Sequence, residues 1–309
     1  MHFFPTHQIK TIKIYRKTIC LTNFFRSFWF FTSLFVTLQP EIVPMRYLQI
    51  IILSMFLTPL VAVGQDMNVV ILGDSNTWIG GDDCDKPQGW NKWFKDALQP
   101  TTCKSYARSG ATWTNTPQTH RNTLENIEVL GNDNVIYNQI CRLQEAVDSG
   151  IQNVPQLILV MAGTNDAWFQ KNRPNALSMS VCKAHCTGCC TITKRPVNEI
   201  LTLAESVCFC CELLKEAYPG ARIILLTPLQ SVAAGTANIT KAGDIIEDCG
   251  QRMGLNVIRL DKDGGIDANK EKARQYLTID GTHTSESGAK IVGSFIAQQI
   301  TAMLQSSTK

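Results

Sequence analysis

The chain has 309 residues and a formal net charge of +3, with 44% hydrophobic and 18% charged residues. This composition excludes a disordered, collagen-like or coiled-coil chain, because each of those classes departs strongly from the average globular balance. The charge is uneven, since residues 65–309 hold 23 basic and 25 acidic side chains and carry a net charge of −2. This part of the chain lacks the basic surface that nucleic-acid binding requires, which excludes that class of partner.

The N-terminal segment has the features of an export signal. Residues 45–64 combine a basic start, an apolar run and small residues from Ala62 to Gly64, which predicts a signal peptide cleaved before Gln65. The apolar run of about 16 residues is shorter than the ~20 that a membrane span needs. We therefore expect a secreted or periplasmic protein, the alternative being a membrane anchor formed by an uncleaved N-terminus. Residues 1–44 are interpreted as a non-native upstream extension or an unstructured segment.

Five apolar, β-rich runs alternate with longer helical stretches from residue 65 onward. Runs that are apolar on both faces are typical of a buried parallel sheet. The predicted strands cover residues 68–72, 101–107, 156–161, 222–226 and 256–260. The predicted helices cover residues 89–98, 135–149, 197–217, 242–253 and 285–305. The alternation predicts one α/β domain over 65–309, a three-layer α/β/α sandwich around a five-stranded parallel sheet.

A polar, cysteine-rich stretch at residues 168–196 lacks clear periodicity, and we interpret it as an insertion in this domain. Seven of the eleven cysteines beyond Gln65 lie between positions 182 and 211. Export to an oxidising compartment favours disulfides, so we expect at least one to link the insertion to itself or to the 197–217 helix. Two alternatives stay open, namely buried free thiols and a zinc site that would also use His185.

Short polar motifs follow the first two predicted strands, where ligands bind in open parallel sheets. Gly73-Asp74-Ser75-Asn76 directly follows the first strand, which makes Ser75 a candidate nucleophile. The alternative is a serine that simply caps a helix. Gly110 follows the second strand, where a glycine lets a ligand approach its backbone N–H or merely forms a turn.

Two further motifs supply an amide and an imidazole. Gly163-Thr164-Asn165-Asp166 follows the third strand, and the Asn165 side chain can donate to a developing oxyanion or form a local turn. Asp280 precedes His283 by three residues, a spacing that lets its carboxylate orient the imidazole. The alternative for this pair is a helix-capping turn.

Together the four motifs resemble the sequence blocks of the SGNH hydrolase superfamily, the GDSL-type esterases and lipases. The resemblance covers residues 67–305 and implies that superfamily's flavodoxin-like fold. Two departures stand out. Asn76 replaces the Leu of many members, and the cysteine-rich insertion follows the third block, which leaves the substrate class open.

The resemblance also implies the roles of the motif residues. His283 would take the proton of Ser75, Asp280 would hold His283, and a covalent acyl-enzyme would form and be hydrolysed. The oxyanion would be bound by the backbone N–H groups of Ser75 and Gly110 and by the Asn165 side chain. No metal or organic cofactor is expected.

Three tryptophans, Trp78, Trp113 and Trp168, each lie within five residues of one of these blocks. Aromatic faces at a cleft commonly stack on sugar rings, although they also fill cores. We therefore expect a serine esterase for small-molecule or glycan esters, in particular a short-acyl carbohydrate deacetylase, with no nucleic-acid partner and no stable membrane partner after signal removal. The alternatives are a lipase- or thioesterase-like acylhydrolase and, from another class, a catalytically silent carbohydrate-binding protein.

Overall fold

The computed structural model describes residues 66–186 and 192–306, so the predicted signal peptide and upstream segment lie outside the described residues. Five strands form one sheet in the order β2-β1-β3-β4-β5, and all neighbouring strands are parallel. The strands are β1 (Asn68–Gly73), β2 (Thr102–Ser105), β3 (Leu157–Met161), β4 (Arg222–Leu226) and β5 (Asn256–Ile258). The predicted five-stranded parallel sheet is confirmed.

Ten α-helices flank and connect these strands in the described residues. They are α1 (Ser75–Trp78), α2 (Trp90–Leu98), α3 (Ile136–Asp148), α4 (Thr164–Trp168), α5 (Val181–Cys186), α6 (Leu203–Ala217), α7 (Thr236–Arg252), α8 (Leu260–Asp263), α9 (Ala268–Ala273) and α10 (Glu286–Ser306). Single 3₁₀ turns lie at Ile192–Lys194 and Val197–Glu199. No helix in these ranges combines the length and the apolar character of a membrane span.

Two apolar clusters, one on each side of the sheet, give the three layers. One cluster joins alternate residues of β1 and β3 to α3, α6 and α7, and the other joins the remaining strand residues to α2 and α10. Every residue of β3 is buried, because this central strand is covered on both faces. The arrangement explains why the strands are continuous apolar runs, and it confirms the α/β/α sandwich.

Two helices begin at points that differ from the prediction. The predicted 197–217 helix begins at Leu203, because Thr202 accepts the backbone N–H of Glu205 through its hydroxyl, as an N-terminal cap does. The predicted 242–253 helix begins earlier, at Thr236, where Ile239 is buried and continues its apolar face. At the sheet edge, β5 ends at Ile258 rather than at residue 260, because the short helix α8 begins at Leu260.

The cysteine-rich stretch contains helix α5, so it is more regular than its composition predicted. On α6, Cys208, Cys210 and Cys211 are buried thiols, which contradicts a disulfide from the insertion to this helix. Cross-links among Cys186, Cys189 and Cys190 fall outside the described side chains. The small, apolar character of the thiol suits the packed interface beneath α6.

Candidate active site

Ser75 stands at the tight turn that joins β1 to α1. Asp74 caps α1, because its Oδ1 accepts the backbone N–H of Asn76 at 3.1 Å. Ser75 is therefore the first helical residue, and only 6% of its surface is exposed. This placement puts the serine at the carboxyl edge of the sheet, next to the ends of the neighbouring parallel strands.

The strand end before Ser75 is held by Gln139, a residue of α3 that lies in none of the sequence motifs. Its Nε2 donates to the Gly73 carbonyl at 2.8 Å, and its Oε1 accepts the Gly73 N–H at 2.8 Å. Gln139 is fully buried, so water does not compete for either hydrogen bond. Gly73 also touches the next strand closely, since a Cβ atom there would lie 2.6 Å from the Met161 carbonyl oxygen.

His283 reaches Ser75 from the far end of the chain, 208 residues away in sequence. Its Nε2 lies 2.8 Å from the Ser75 Oγ, and its Nδ1 lies 2.7 Å from the Asp280 Oδ2. The second Asp280 oxygen accepts the backbone N–H groups of Thr282 and His283, at 2.9 and 2.8 Å. The three side chains thus form one continuous hydrogen-bonded chain from carboxylate to hydroxyl.

The electrostatics keep Asp280 ionised. Its partial burial opposes ionisation, but hydrogen bonds from the His283 ring and from two backbone N–H groups outweigh it and lower the pKa of Asp280. A carboxylate at Nδ1 keeps the proton on that nitrogen and leaves Nε2 free to accept the Ser75 proton. Asp74 differs, because complete burial raises its pKa to about 6.

Gly110 and Asn165 follow β2 and β3, the two strands that flank β1 in the sheet. Asn165 is the second residue of α4, and its Nδ2 donates to the Ala111 carbonyl at 2.8 Å. That bond ties the Asn165 amide to the residue after Gly110 and leaves the second amide N–H available. Gly110 has φ +78°, and a Cβ atom there would lie 2.5 Å from the Val129 side chain, so this turn requires glycine.

Asp166 fixes the loop that carries Gly110, a role that sequence reasoning missed although the residue stands beside Asn165 in the same motif. Its carboxylate accepts the backbone N–H groups of Trp113 and Thr114, both at 3.0 Å, and the Thr114 hydroxyl at 2.7 Å. Burial raises the pKa of Asp166, and these three hydrogen bonds oppose the rise. Asp166 therefore connects the loop after β2 to the helix after β3, and these two strands flank β1, which leads to Ser75.

The three tryptophans have different environments. Trp78 ends α1 with 46% of its surface exposed, and Trp168 is 37% exposed and stacks on Phe169 with ring centroids 4.6 Å apart. Trp113 is completely buried among core side chains. The prediction that Trp113 offers a face to substrate is therefore wrong, because its ring fills the space beneath α3 and α6 instead.

The hydrogen-bonded Ser75, His283 and Asp280 have the arrangement that nucleophilic serine catalysis requires. Proton transfer from hydroxyl to imidazole needs a donor–acceptor separation of about 2.6–3.2 Å, and the Ser75–His283 distance of 2.8 Å satisfies it. Among the described residues, one group of side chains is spaced to hold a metal ion, and it lies outside this site: His185, Cys208 and Cys249.

A comparison with protein families identifies one that matches most of the chain. The model of the GDSL-like Lipase/Acylhydrolase family matches residues 71–291. The matched range begins within β1, ends within α10 and includes every residue of the hydrogen-bonded chain described above. No curated protein sequence matches this chain.

Solved structures resemble this chain at low sequence identity. One crystal structure has a TM-score of 0.54 and 17% identity, with 77% of this chain and 97% of that chain covered. A Lactobacillus plantarum protein has a TM-score of 0.52 and 15% identity, with 78% and 98% covered. The lipase/acylhydrolase from Enterococcus faecalis has a TM-score of 0.46 and 17% identity, with 77% and 97% covered. The first two show that the fold is shared.

Proposed function

Because the chain belongs to the GDSL-like lipase/acylhydrolase family, a family of serine esterases, we propose that Ser75, His283 and Asp280 carry out its ester hydrolysis. The observation that supports this most strongly is the continuous hydrogen bonding from Asp280 through His283 to Ser75. Two of these residues lie 208 positions apart in sequence, so a local capping motif cannot explain their contact.

The proposed reaction has two half-reactions. The Ser75 Oγ attacks the ester carbonyl carbon while His283 Nε2 takes the hydroxyl proton, and the carbonyl π electrons move to oxygen. The tetrahedral intermediate then expels the alcohol, which receives that proton from His283, and an acyl-enzyme remains. Water, deprotonated by His283, attacks the acyl group, and breakdown of the second intermediate releases the acid and restores Ser75.

The oxyanion of each intermediate needs hydrogen-bond donors in fixed positions. We assign this role to the backbone N–H groups of Ser75 and Gly110 and to the Asn165 side chain. The tie from Asn165 to the Ala111 carbonyl supports the assignment, because it holds the amide in one orientation before substrate binds. The clamp of Asp166 on the neighbouring loop supports it in the same way.

For the substrate, we propose a short-acyl ester on a carbohydrate, with acetate as the acid released. Trp78 and Trp168 are exposed at the ends of the helices that follow β1 and β3, three residues after Ser75 and Asn165 respectively, and the half-buried Phe169 stacks on Trp168. Flat aromatic faces at a cleft bind sugar rings by stacking. The second candidate is a lipase- or thioesterase-like acylhydrolase, which the same aromatic faces would favour by contacting a long acyl chain.

We also propose that the enzyme is exported, with Gln65 as its first mature residue. The basic, apolar and small-residue sequence of residues 45–64 supports this. Sequencing of the N-terminus after expression in a secreting host tests it. A mature protein that retains residues 45–64 would overturn the cleavage and favour an uncleaved anchor.

The activity is tested with p-nitrophenyl esters of increasing acyl length and with an acetylated oligosaccharide, comparing the wild-type chain with Ser75→Ala. We expect hydrolysis that is fastest for acetate and lost by several orders of magnitude in Ser75→Ala. Best activity on chains of about eight carbons or more would favour the acylhydrolase alternative over a deacetylase. A Ser75→Ala protein that is folded and fully active would overturn the catalytic assignment.

A further inference from the structure

Three helices bring one histidine and two cysteines together, away from the serine site. His185 lies on α5, Cys208 on α6 and Cys249 on α7. The His185 Nε2 is 3.0 Å from the Cys208 Sγ, and the Cys208 Sγ is 3.9 Å from the Cys249 Sγ. All three ligand atoms lie within 4.8 Å of one another. We call these residues the His-Cys cluster.

The spacing of the His-Cys cluster suits a small tetrahedral cation. Zinc binds thiolate sulfur at about 2.3 Å and imidazole nitrogen at about 2.0–2.1 Å. Two sulfurs on one tetrahedral zinc ion are therefore about 3.8 Å apart, which the Cys208–Cys249 separation of 3.9 Å matches. The nitrogen and sulfur of His185 and Cys208 would need to separate by only about half an ångström to reach the corresponding edge.

The charges also balance. Cys208 and Cys249 are both buried, and two buried thiolates would be strongly unfavourable without a compensating charge. One Zn²⁺ displaces one proton from each thiol and binds the neutral imidazole, so the site becomes neutral and two protons pass to water. Imidazole and thiolate are the ligands that zinc prefers in proteins.

Thiol packing alone explains only part of the arrangement. The Cys249 Sγ also lies 3.6 Å from the Ala204 carbonyl oxygen, within reach of a weak S–H hydrogen bond. His185, however, is exposed and yet turns its Nε2 toward the Cys208 thiol. An exposed imidazole directed at a buried pair of thiols is the arrangement expected of a ligand set completed from the surface.

We propose that His185, Cys208 and Cys249 bind one Zn²⁺, with water in the fourth position on the side of His185. The ion would join α5, which belongs to the cysteine-rich stretch, to α6 and α7 of the sandwich. Its function would be to fix that stretch on the domain, because α5 is a six-residue helix that contributes the small side chains of Val181 and Ala184 to the core.

The proposal is tested on the full chain, reduced and freed of metal, by titration with Co²⁺ and then Zn²⁺. Thiolate-to-cobalt charge-transfer absorption shows whether sulfur binds the ion, and elemental analysis gives the amount of zinc per chain. The variants are His185→Ala, whose side chain is exposed and whose loss leaves the core intact, and Cys249→Ala. Cys210→Ala is the matched control, because Cys210 is a buried thiol on α6 outside the His-Cys cluster.

We expect about one zinc ion per chain in the wild type and in Cys210→Ala, with zinc raising the unfolding temperature of both. His185→Ala and Cys249→Ala should weaken zinc binding by roughly 100-fold or more, since even outer-shell changes at metal sites cost 10–100-fold. Hydrolysis of p-nitrophenyl acetate should stay unchanged in His185→Ala, which separates this proposal from the catalytic one.

Three results would overturn the proposal. The first is no cobalt–thiolate absorption and no zinc binding in the wild type. The second is zinc binding that neither His185→Ala nor Cys249→Ala weakens, which would assign the ion to other cysteines. The third is a Cys208–Cys249 disulfide found by peptide mapping of the native protein.

Discussion

The side-chain amide of Gln139 forms hydrogen bonds with both the N–H and the carbonyl of Gly73, two residues before the nucleophile. The contact runs from the first turn of α3 to the last residue of β1, and the Gln139 side chain is completely buried. It determines where the β1 strand ends, and therefore where the first turn of α1 places Ser75.

Replacing Gln139 with Leu keeps a similar volume but removes the partner of the buried Gly73 N–H, while the Gly73 carbonyl still accepts the Arg108 N–H at 3.2 Å. We expect a loss of about 1–3 kcal/mol in the free energy of unfolding and a fall in kcat of roughly 10–100-fold, with KM changed less. Urea unfolding and steady-state kinetics measure both. Gln152→Leu, a buried glutamine that donates to the Asn153 carbonyl, is the control, and an equal fall in kcat there would contradict a positioning role for Gln139.

Asn165→Ala removes the side-chain donor assigned to the oxyanion. We expect kcat to fall by roughly 10²–10³-fold, with a modest loss of stability because the tie to Ala111 is also lost. Asn138→Ala is the comparison, since Asn138 is a buried amide bonded to two backbone carbonyls. That variant should lose stability and keep most of its kcat. If both variants have the same kcat, Asn165 does not stabilise the transition state.

Asp280→Asn removes the charge that orients the catalytic histidine. The pKa of Asp280 is lowered by hydrogen bonds from the His283 ring and from two backbone N–H groups, so the carboxylate is the form that holds the imidazole. The Asn side chain has nearly the same shape but no charge, so kcat should fall, by less than in His283→Ala, which loses the base itself. Steady-state hydrolysis of p-nitrophenyl acetate at pH 7 measures both variants. Unchanged kcat in Asp280→Asn would contradict an orienting role for Asp280.

The free energy of unfolding should depend on pH through Asp74. The dependence has the opposite sign from that of an ion-paired carboxylate, because the pKa of Asp74 is raised rather than lowered. Its pKa rises from 3.8 to about 6 on burial, so between these values the folded protein binds more protons than the unfolded chain. Stability attributable to Asp74 is then present below pH 4 and declines as pH rises through 6. Asn caps helices as well as Asp does, so Asp74→Asn should become more stable relative to wild type across this window. Chemical unfolding at pH 4, 5, 6 and 7 measures the difference, and a constant difference would contradict the shift.

The exposed tryptophans distinguish sugar binding from general ester hydrolysis. Trp78→Ala and Trp168→Ala should each raise KM for an acetylated oligosaccharide by about tenfold, or ~1.4 kcal/mol. Hydrolysis of p-nitrophenyl acetate should change little, because that ester has no sugar ring to stack. Leu124→Ala, which removes an exposed apolar side chain elsewhere, is the control. Equal KM values for wild type and both tryptophan variants would argue against a carbohydrate substrate.

The sequence alone predicts those parts of the fold and of the site that depend on residues close together in the chain. The strands are continuous apolar runs because they are buried on both faces. Ser75 and His283 stood in short motifs at chain positions that a parallel sheet brings to one edge. The Thr202–Glu205 cap was also present in the sequence, as a threonine three residues before a glutamate.

The remainder depends on contacts that sequence spacing does not reveal. Trp113 lies three residues after Gly110, but the loop directs its ring into the core. Gln139 is one of several polar residues on the amphipathic helix α3, and nothing in the neighbouring sequence indicates that it contacts Gly73, 66 positions earlier. Cys249 stands far from the cysteine-rich stretch, so only the packing of α7 against α6 brings it to Cys208.

Covalent labelling tests whether Ser75 is the nucleophile that His283 activates. The wild-type chain is treated with a fluorophosphonate, which reacts with activated serines, and the modified residue is located by peptide mass spectrometry while esterase activity is followed. We expect one adduct per chain, on Ser75, formed in step with the loss of activity and absent from folded His283→Ala. An adduct on another serine, or full activity in protein labelled at Ser75, would contradict it.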